Sequence, residues 1–489
     1  MKLKRTKRFS YGLLFILWLC LILTPQPIAA SDDEPAKPLK LTIKEAIMLA
    51  LENNSAFKIE KLNPVTRESQ LLQEESAFAP TTTAGVSKTD TSGDQSGNST
   101  GVSTGISVPL TTGGDISLDL STDKKTSSSG DYASSLDLGF TQPLLKGAGS
   151  SVALANIRKA EISLLTSKYE LQAYAESLVA QVEATYRDLA LAQQQLKIYE
   201  DSLSLAQQQL EETQVMVDVG KTAAVELVAA KAEVASRKEA LINARSNIAK
   251  TKLRLLRLVN LPDIDFFYQE IELSSPFDIP SEALSTLETH VETALKMRPD
   301  LNQAKLQIDK NEIDLVTTRN GVLPQLDLFI SLGMTNYADS FSSSVGDVLS
   351  GSRDLRAGLN FSQVLGNQNN KQRYRQTLIS KEQNDEALKN LTQLAKEDVG
   401  GAWIEVNRSL EQIQATKATR ELQEEKLRAE TEKYRVGKST SLLVAQAQRD
   451  FLASQIAEIQ SIANYQKALI ELYRLEGTLL QRNGISYLD

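Results

Sequence analysis

Ala50-Leu51-Glu52-Asn53-Asn54-Ser55-Ala56-Phe57, running on to Pro80, is met again as Ala294-Leu295-Lys296-Met297-Arg298-Pro299-Asp300-Leu301, running on to Pro324. Ala50, Phe57 and Pro80 correspond to Ala294, Leu301 and Pro324 at one offset of 244 positions. Each copy reads as a helix stopped by a proline and followed by alternating, strand-like sequence. A second correspondence lies further on. Val219-Gly220-Lys221-Thr222 returns as Val436-Gly437-Lys438-Ser439, and Tyr186 falls opposite Trp403, both at an offset of 217. Two copies of one unit therefore fill most of the 489 residues, and the fold is to be sought as two fused halves of one structure.

Outward from the repeat, the N-terminus reads as a leader. Lys2, Lys4, Arg5, Lys7 and Arg8 precede an apolar run from Leu13 to Leu23, and Ile28-Ala29-Ala30 offers a small-residue cleavage site. The run is too short to span a bilayer comfortably, so residues 1–30 are expected to be a signal peptide. Cys20, the only cysteine, follows Leu19 rather than a small residue, so lipid attachment is not expected, and the processed chain would hold no thiol. Removing five basic residues leaves 49 basic against 62 acidic, a net charge of −13, which argues against nucleic acid as a partner. No other apolar run is long enough for a membrane helix, so strands would have to make any crossing.

Residues 31–40 read as a polar N-terminal segment. The first copy is expected over 41–260. Thr42 and Glu45 form a capping-box pattern, opening a helix expected to run to Phe78. In 81–145 the period becomes two: Ile106 and Val108, Ile116 to Leu120, and Leu136 to Phe140 alternate with polar residues, with Thr111-Thr112-Gly113-Gly114 as a turn. In the second copy (287–480) Leu326, Leu328, Ile330 and Leu332, then Leu355, Ala357, Leu359 and Phe361, form single strand faces within 324–365. Arg356, Gly358, Asn360 and Ser362 would line a polar interior. Apolar-out, polar-in strands between Gly/Ser loops suit an outer-membrane barrel.

From Ser151 the chain lacks proline until Pro262, and Val182, Leu189, Leu196, Leu203, Leu210 and Val217 fall at seven-residue spacing. Val399, Trp403, Val406, Leu410 and Ile413 continue the pattern in the second copy. A sustained heptad gives left-handed coiled packing, here in helical hairpins over 151–258 and 371–480. Gly220 and Gly437 end the outgoing helices, and Thr222 and Ser439 are suited to cap the returning ones. Residues 261–286 link the copies, with Ile271 and Leu273 able to form a short strand; 481–489 is a tail.

This ordered pattern resembles the outer-membrane efflux protein family, the TolC-like channels. It is carried by Leu41-Thr42-Ile43-Lys44-Glu45-Ala46 with Ala50 to Asn54, by Ala294 to Leu301, by Thr141-Gln142-Pro143-Leu144-Leu145, and by Tyr434-Arg435-Val436-Gly437-Lys438-Ser439 with Ala445-Gln446-Ala447-Gln448-Arg449. The resemblance implies an α+β membrane protein, a homotrimer whose strands share one barrel in outer-membrane lipid and whose helices share one periplasmic tube. It implies a passive exit duct for a tripartite efflux pump or type I secretion system, partnered by a periplasmic adaptor and an inner-membrane pump. The helix tips Val219, Gly220, Lys221, Val436, Gly437 and Lys438 would dock the adaptor.

Two departures stand out. The first copy has four strand-like stretches where the family usually has two; the extra hairpin, about Gly101–Leu120, either enlarges the barrel or forms an external or lumenal flap. Some members also narrow the periplasmic entrance with carboxylates at positions that here are Leu443 and Gln446, whose first-copy counterparts are Glu226 and Ala229, so only Glu226 is left as a possible gate residue. No paired-carboxylate, Ser/His or metal-ligand cluster asks for an enzyme or a cofactor, and the lone His290 is read as structural. The rival reading is a trimeric coiled-coil surface or structural protein.

Overall fold

The computed structural model describes residues 38–91, 97–124, 131–262, 265–279 and 284–485; the expected leader, its cleavage site and Cys20 lie outside them. Strand β1 (Leu39–Leu41) begins at the end of the polar N-terminal segment, and pairs in parallel with β6 (Ile271–Leu273) in the linker. Helix α1 (Ile43–Asn53) opens with the expected capping box: Thr42 N donates to Glu45 Oε2 at 2.8 Å and Glu45 N donates to Thr42 Oγ1 at 3.2 Å. The Thr42 amide, and the Thr42 hydroxyl that donates to the same Oε2 at 2.8 Å, hold the Glu45 carboxyl below its ordinary value.

The single helix expected from Thr42 to Phe78 is two. At Asn54 the backbone turns extended (φ −60°, ψ 119°), and Asn54 Oδ1 accepts the Phe57 amide at 3.1 Å to start α2 (Ser55–Glu75), with a short 3-10 turn over Ser76–Phe78. The second copy breaks at Arg298, the residue offset by 244, between α5 (Leu287–Met297) and α6 (Pro299–Gly321). Pro299 has no amide to continue the ladder, but it fits the first position of a new helix.

The outgoing helices are rods. Helix α3 (Ala155–Asp218) has 64 residues and α7 (Gln368–Arg435) has 68, about 100 Å each at 1.5 Å per residue. The returning α4 (Ala224–Val259) and α8 (Ser441–Glu476) have only 36 each, so they cover only the distal part of each rod. Both stop at a left-handed residue, Asn260 (φ 48°) and Gly477 (φ 73°), again offset by 217. Helices α2 and α6 take over beside the rods towards the sheet. The heptad from Leu196 to Val217 is only half-buried in one protomer; Ala206, Gln209 and Thr213 are the buried residues there. A rod flanked mainly by its own return helix hides a narrower stripe than a coil packed on several sides.

The main core lies midway, where α1, α3, α4 and the two-stranded sheet meet. Leu41, Ile47, Phe57, Val182, Leu189, Leu255 and Leu256 are buried there. Tyr186 anchors it: its hydroxyl donates to Leu41 O at 2.8 Å and accepts the Ser275 amide at 3.0 Å. Its counterpart Trp403 is only half-buried and donates to Ser285 O at 3.2 Å. His290 is buried against Glu476, as its structural reading expects.

Helix α9 (Leu479–Arg482) seats the C-terminal end on this core, and the Leu480 amide reaches Glu176 Oε1 at 3.4 Å. Burial pushes the Glu176 carboxyl up to about 7, against the pull of the Leu480 and Leu479 amides and of Arg474. An acid whose folded pKa is raised takes up a proton on folding. Its contribution is therefore complete below about 4.5 and is lost as pH rises through about 7, a swing of roughly 3 kcal/mol. Glu176→Gln is expected to remove most of the fall in melting temperature between pH 5 and pH 8. Glu183, raised by burial as well, keeps a residual slope. A variant with the full wild-type slope contradicts the assignment.

At the other end lies one antiparallel sheet of six strands in the order β2 (Thr81–Thr91), β3 (Gly97–Pro109), β4 (Asp115–Lys124), β5 (Tyr132–Pro143), β7 (Gln325–Ala338) and β8 (Ser352–Ser362). Its register places Ile106, Leu118, Leu138, Leu332 and Leu355 in one cross-strand row. At the outer end of this face Phe341 and Ser344, from the segment between β7 and β8, meet Tyr132 and Ser134; towards the helices no described residue of the protomer covers it, and Leu355 is 70% exposed and Leu359 62%. No described helix is long and apolar enough to cross a membrane.

Candidate functional site: hairpin tips and the polar face of the sheet

The two tips are built alike. Val219 caps α3 and Gly220 takes φ +71°. The Gly220 amide then bonds Val217 O at 3.0 Å and the Lys221 amide bonds Met216 O at 2.8 Å. In the second tip Gly437 takes φ +74°, with Gly437 N to Tyr434 O at 2.9 Å and Lys438 N to Lys433 O at 2.8 Å. This paired pattern is the Schellman ending, which needs a left-handed residue and so favours glycine. Neither expected cap is the one used. The return helices start one residue later: Thr440 accepts the Leu443 amide at 3.4 Å, Ala223 caps α4 with no side-chain bond, and Ser439 instead donates to Glu430.

The tips are apolar as well as tight. Val219, Val225, Val228, Val436 and Leu442 are each more than half exposed, and a side-chain carbon at Gly220 or Gly437 would meet nothing within 4 Å. Among the described residues nothing covers this surface.

Just above, the two hairpins are tied together. Glu226, on the first turn of α4, accepts from Ser441 Oγ at the start of α8. Glu233 lies between Arg237 on its own helix and Arg449 Nη1 of α8 at 2.9 Å. Thr213 and Tyr434 hydroxyls approach to 3.5 Å, and Arg435 faces Glu212 at 3.9 Å. A cleft of about 250 Å³ remains between them, lined by Ala206, Ala230, Glu233, Ser441 and Arg449. Glu226 is therefore engaged between the two hairpins of one protomer.

On the sheet's polar face the register aligns Thr83, Gly105, Asp119, Asp137, Gly333 and Asp354 in one row across all six strands. Arg356, two residues along β8, pairs with Asp354. Among the described residues no group of three acidic, histidine or cysteine side chains could hold a metal ion.

A profile of the outer membrane efflux protein family matches residues 46–261 and 290–478, the two copies in turn. The chain belongs to that family. As an outer membrane efflux protein it has the fold of solved outer-membrane channels. It is similar to CmeC of Campylobacter jejuni (TM-score 0.67, 17% identity, covering 91% of this chain and 87% of that one). It is similar also to MtrE of Neisseria gonorrhoeae in its open state (0.66, 17%, 90% and 89%) and to VceC of Vibrio cholerae (0.66, 14%, 89% and 96%). No curated protein matches it in sequence. At such identities the structures speak for the fold.

Two parts of this efflux protein's site escape a reading by motif. Glu233 and Arg237 are neighbours one turn apart on α4, but Arg449 lies a whole copy away and meets Glu233 only through hairpin packing. The aspartate row needs the strand register; its trace in the sequence is Asp115, Asp119 and Asp123, every fourth residue of β4 and so all on one face.

Proposed function

We propose that three copies of this chain form the exit duct of a tripartite efflux pump or type I secretion system. The sheets would close a barrel in the outer membrane, the rods would form a tube through the periplasm, and the tips would receive a periplasmic adaptor that links the duct to an inner-membrane pump. The observation that carries this is the division of labour along one rod about 100 Å long. One end bears a sheet whose apolar face the protomer covers only at its outer end, and the other bears exposed apolar tips. A coiled-coil surface fibre, the rival reading, has no use for such a sheet. Removing the chain from its host should raise cellular accumulation of ethidium or stop secretion of a pump's protein cargo; a host unaltered in both contradicts the proposal.

The ties between the hairpins suit a duct held narrow at rest. Glu233 is largely buried, with 11% of its side chain exposed, and removing its charge leaves Arg237 uncompensated. Glu233→Gln is expected to part the hairpins and raise single-channel conductance in planar bilayers several-fold. An unchanged conductance would show that this tie does not set the resting width. Glu226→Gln tests the proposed gate residue in the same assay, with a smaller rise expected because its partner is a neutral hydroxyl.

A further inference from the structure

Four of the six strands run directly into the helical rod. Strand β2 follows α2 through Pro80, β5 leads to α3, β7 follows α6 through Pro324, and β8 leads to α7. Strands β3 and β4 do not. Their helix-side ends are joined to each other by Leu110–Gly114, where Leu110 N donates to Gly114 O at 2.7 Å. They are an inserted hairpin, and its place decides the bore of the barrel.

Two independent observations place it in the wall. The first is the ladder. Strand β3 pairs with β2 from Thr81↔Ser107 to Thr91↔Gly97, and β4 pairs with β5 from Asp115↔Thr141 to Lys124↔Tyr132. The insertion is therefore bonded along its full length on both sides, and β2 reaches β5 only through it. A flap would leave β2 and β5 paired with each other. The alternation also continues without a break: Val102, Ile106, Ile116, Leu118 and Leu120 share the apolar face of Leu138 and Leu332.

The second is the turn. Gln142 Nε2 donates to Thr112 O at 3.2 Å, and Thr112 Oγ1 donates to Gln142 Oε1 at 2.7 Å. The Gly149 amide donates to Thr112 O at 3.0 Å. Gly113 (φ +93°) lies so close to the Gly147 carbonyl that a side-chain carbon there would come within 2.2 Å of it. The insertion is fastened to the crossover by which β5 enters the helical rod.

We infer that the barrel of this protein has eighteen strands, six from each of three copies, with β8 of one copy pairing with β2 of the next. The inference rests on the trimeric duct proposed above. Six strands are fewer than the eight of the smallest membrane barrels, and both sheet edges, β2 and β8, carry unpaired backbone groups that lipid cannot satisfy. The directions allow closure: the six strands alternate, so β8 of one copy runs antiparallel to β2 of a neighbour. With strands about 4.8 Å apart and tilted by about 40°, eighteen strands give a backbone diameter of about 36 Å; twelve, the number without the insertion, give about 24 Å. The inserted hairpin thus makes the exit mouth about twofold larger in cross-section, and the sieve for bulky cargo falls at the hairpin tips.

The test is electron cryomicroscopy of the full-length protein beside a variant lacking residues 97–124. That deletion joins the outer ends of β2 and β5 and keeps the alternation. Eighteen strands in the wild-type wall and twelve in the variant are expected, with trimers in both. A twelve-stranded wild-type wall with 97–124 folded to one side overturns the inference while leaving the duct intact. A particle that is not a trimer overturns the duct reading itself. Should the deletion variant fail to fold, Ser121→Cys with Ser135→Cys takes its place. These residues face each other across β4 and β5 with hydroxyls 2.9 Å apart. Their disulfide should form nearly completely in the membrane-inserted protein; a pair that stays reduced under oxidant contradicts the wall position.

Discussion

Replacing Gly220 and Gly437 together by phenylalanine is expected to abolish export and leave the trimer assembled. The fold can absorb the change. Both glycines are at positive φ, where an L-residue costs about 1–2 kcal/mol, and neither position has a neighbour within 4 Å to be displaced. The long helices are anchored far from the tips by the Tyr186 core. What changes is the outside: two rings now project from the apolar patch of Val219, Val225, Val436 and Leu442, where a partner's helices would have to approach the turn closely. Gly220→Ala with Gly437→Ala carries the same backbone cost without the bulk and is expected to retain most export. Ethidium efflux and trimer recovery in one strain set decide the matter. If the phenylalanine variant exports normally, the tips do not dock an adaptor; if both variants lose trimers, the glycines serve folding alone.

A second large effect is expected from adjacent residues on opposite faces of β5. Leu138→Arg should prevent stable insertion into the outer membrane, whereas Asp137→Asn should insert like the wild type. Leu138 sits in the apolar row between Leu118 and Leu332, and Asp137 in the polar row between Asp119 and Gly333. An arginine facing lipid near the bilayer midplane costs about 2–4 kcal/mol, and a homotrimer meets that cost at three places. Losing one carboxylate from a wet lining relieves like-charge repulsion with Asp119, directly opposite. Heat-resistant trimer in the membrane fraction is the readout. Normal insertion of the arginine variant would mean that this face does not meet lipid.

These expectations differ in how directly the chain announces them. The repeat and the glycine tips are local patterns, and the structure keeps them at the offsets they have in the sequence, with breaks at Asn54 and Arg298 and left-handed turns at Gly220 and Gly437. The period of seven gives the long rods, although from Leu196 to Val217 its residues are only half-buried. The four-stranded first copy was equally legible, because alternation counts strands. Its place was not: a strand pattern carries no partner, and only the register shows β3 and β4 bonded on both sides. The helix breaks at Asn54 and Arg298 were hidden because the apolar stripe runs on through them, although Asn54 as a cap and Pro299 as a first residue were signals to be read. The caps at Thr440 and Ala223 were missed by one position, since a Schellman ending uses the residue after the glycine to close the turn before the next helix can start. The tie of Glu233 to Arg449 depends on how two hairpins pack, which no spacing encodes.

The central claim, a trimeric duct with a resting restriction at its tips, is tested most directly by the native mass of the purified protein together with its single-channel conductance in planar bilayers. A trimer with a small resting conductance that rises several-fold in Glu233→Gln is the predicted result. A monomer that neither inserts nor conducts would contradict the account and return the coiled-coil structural reading.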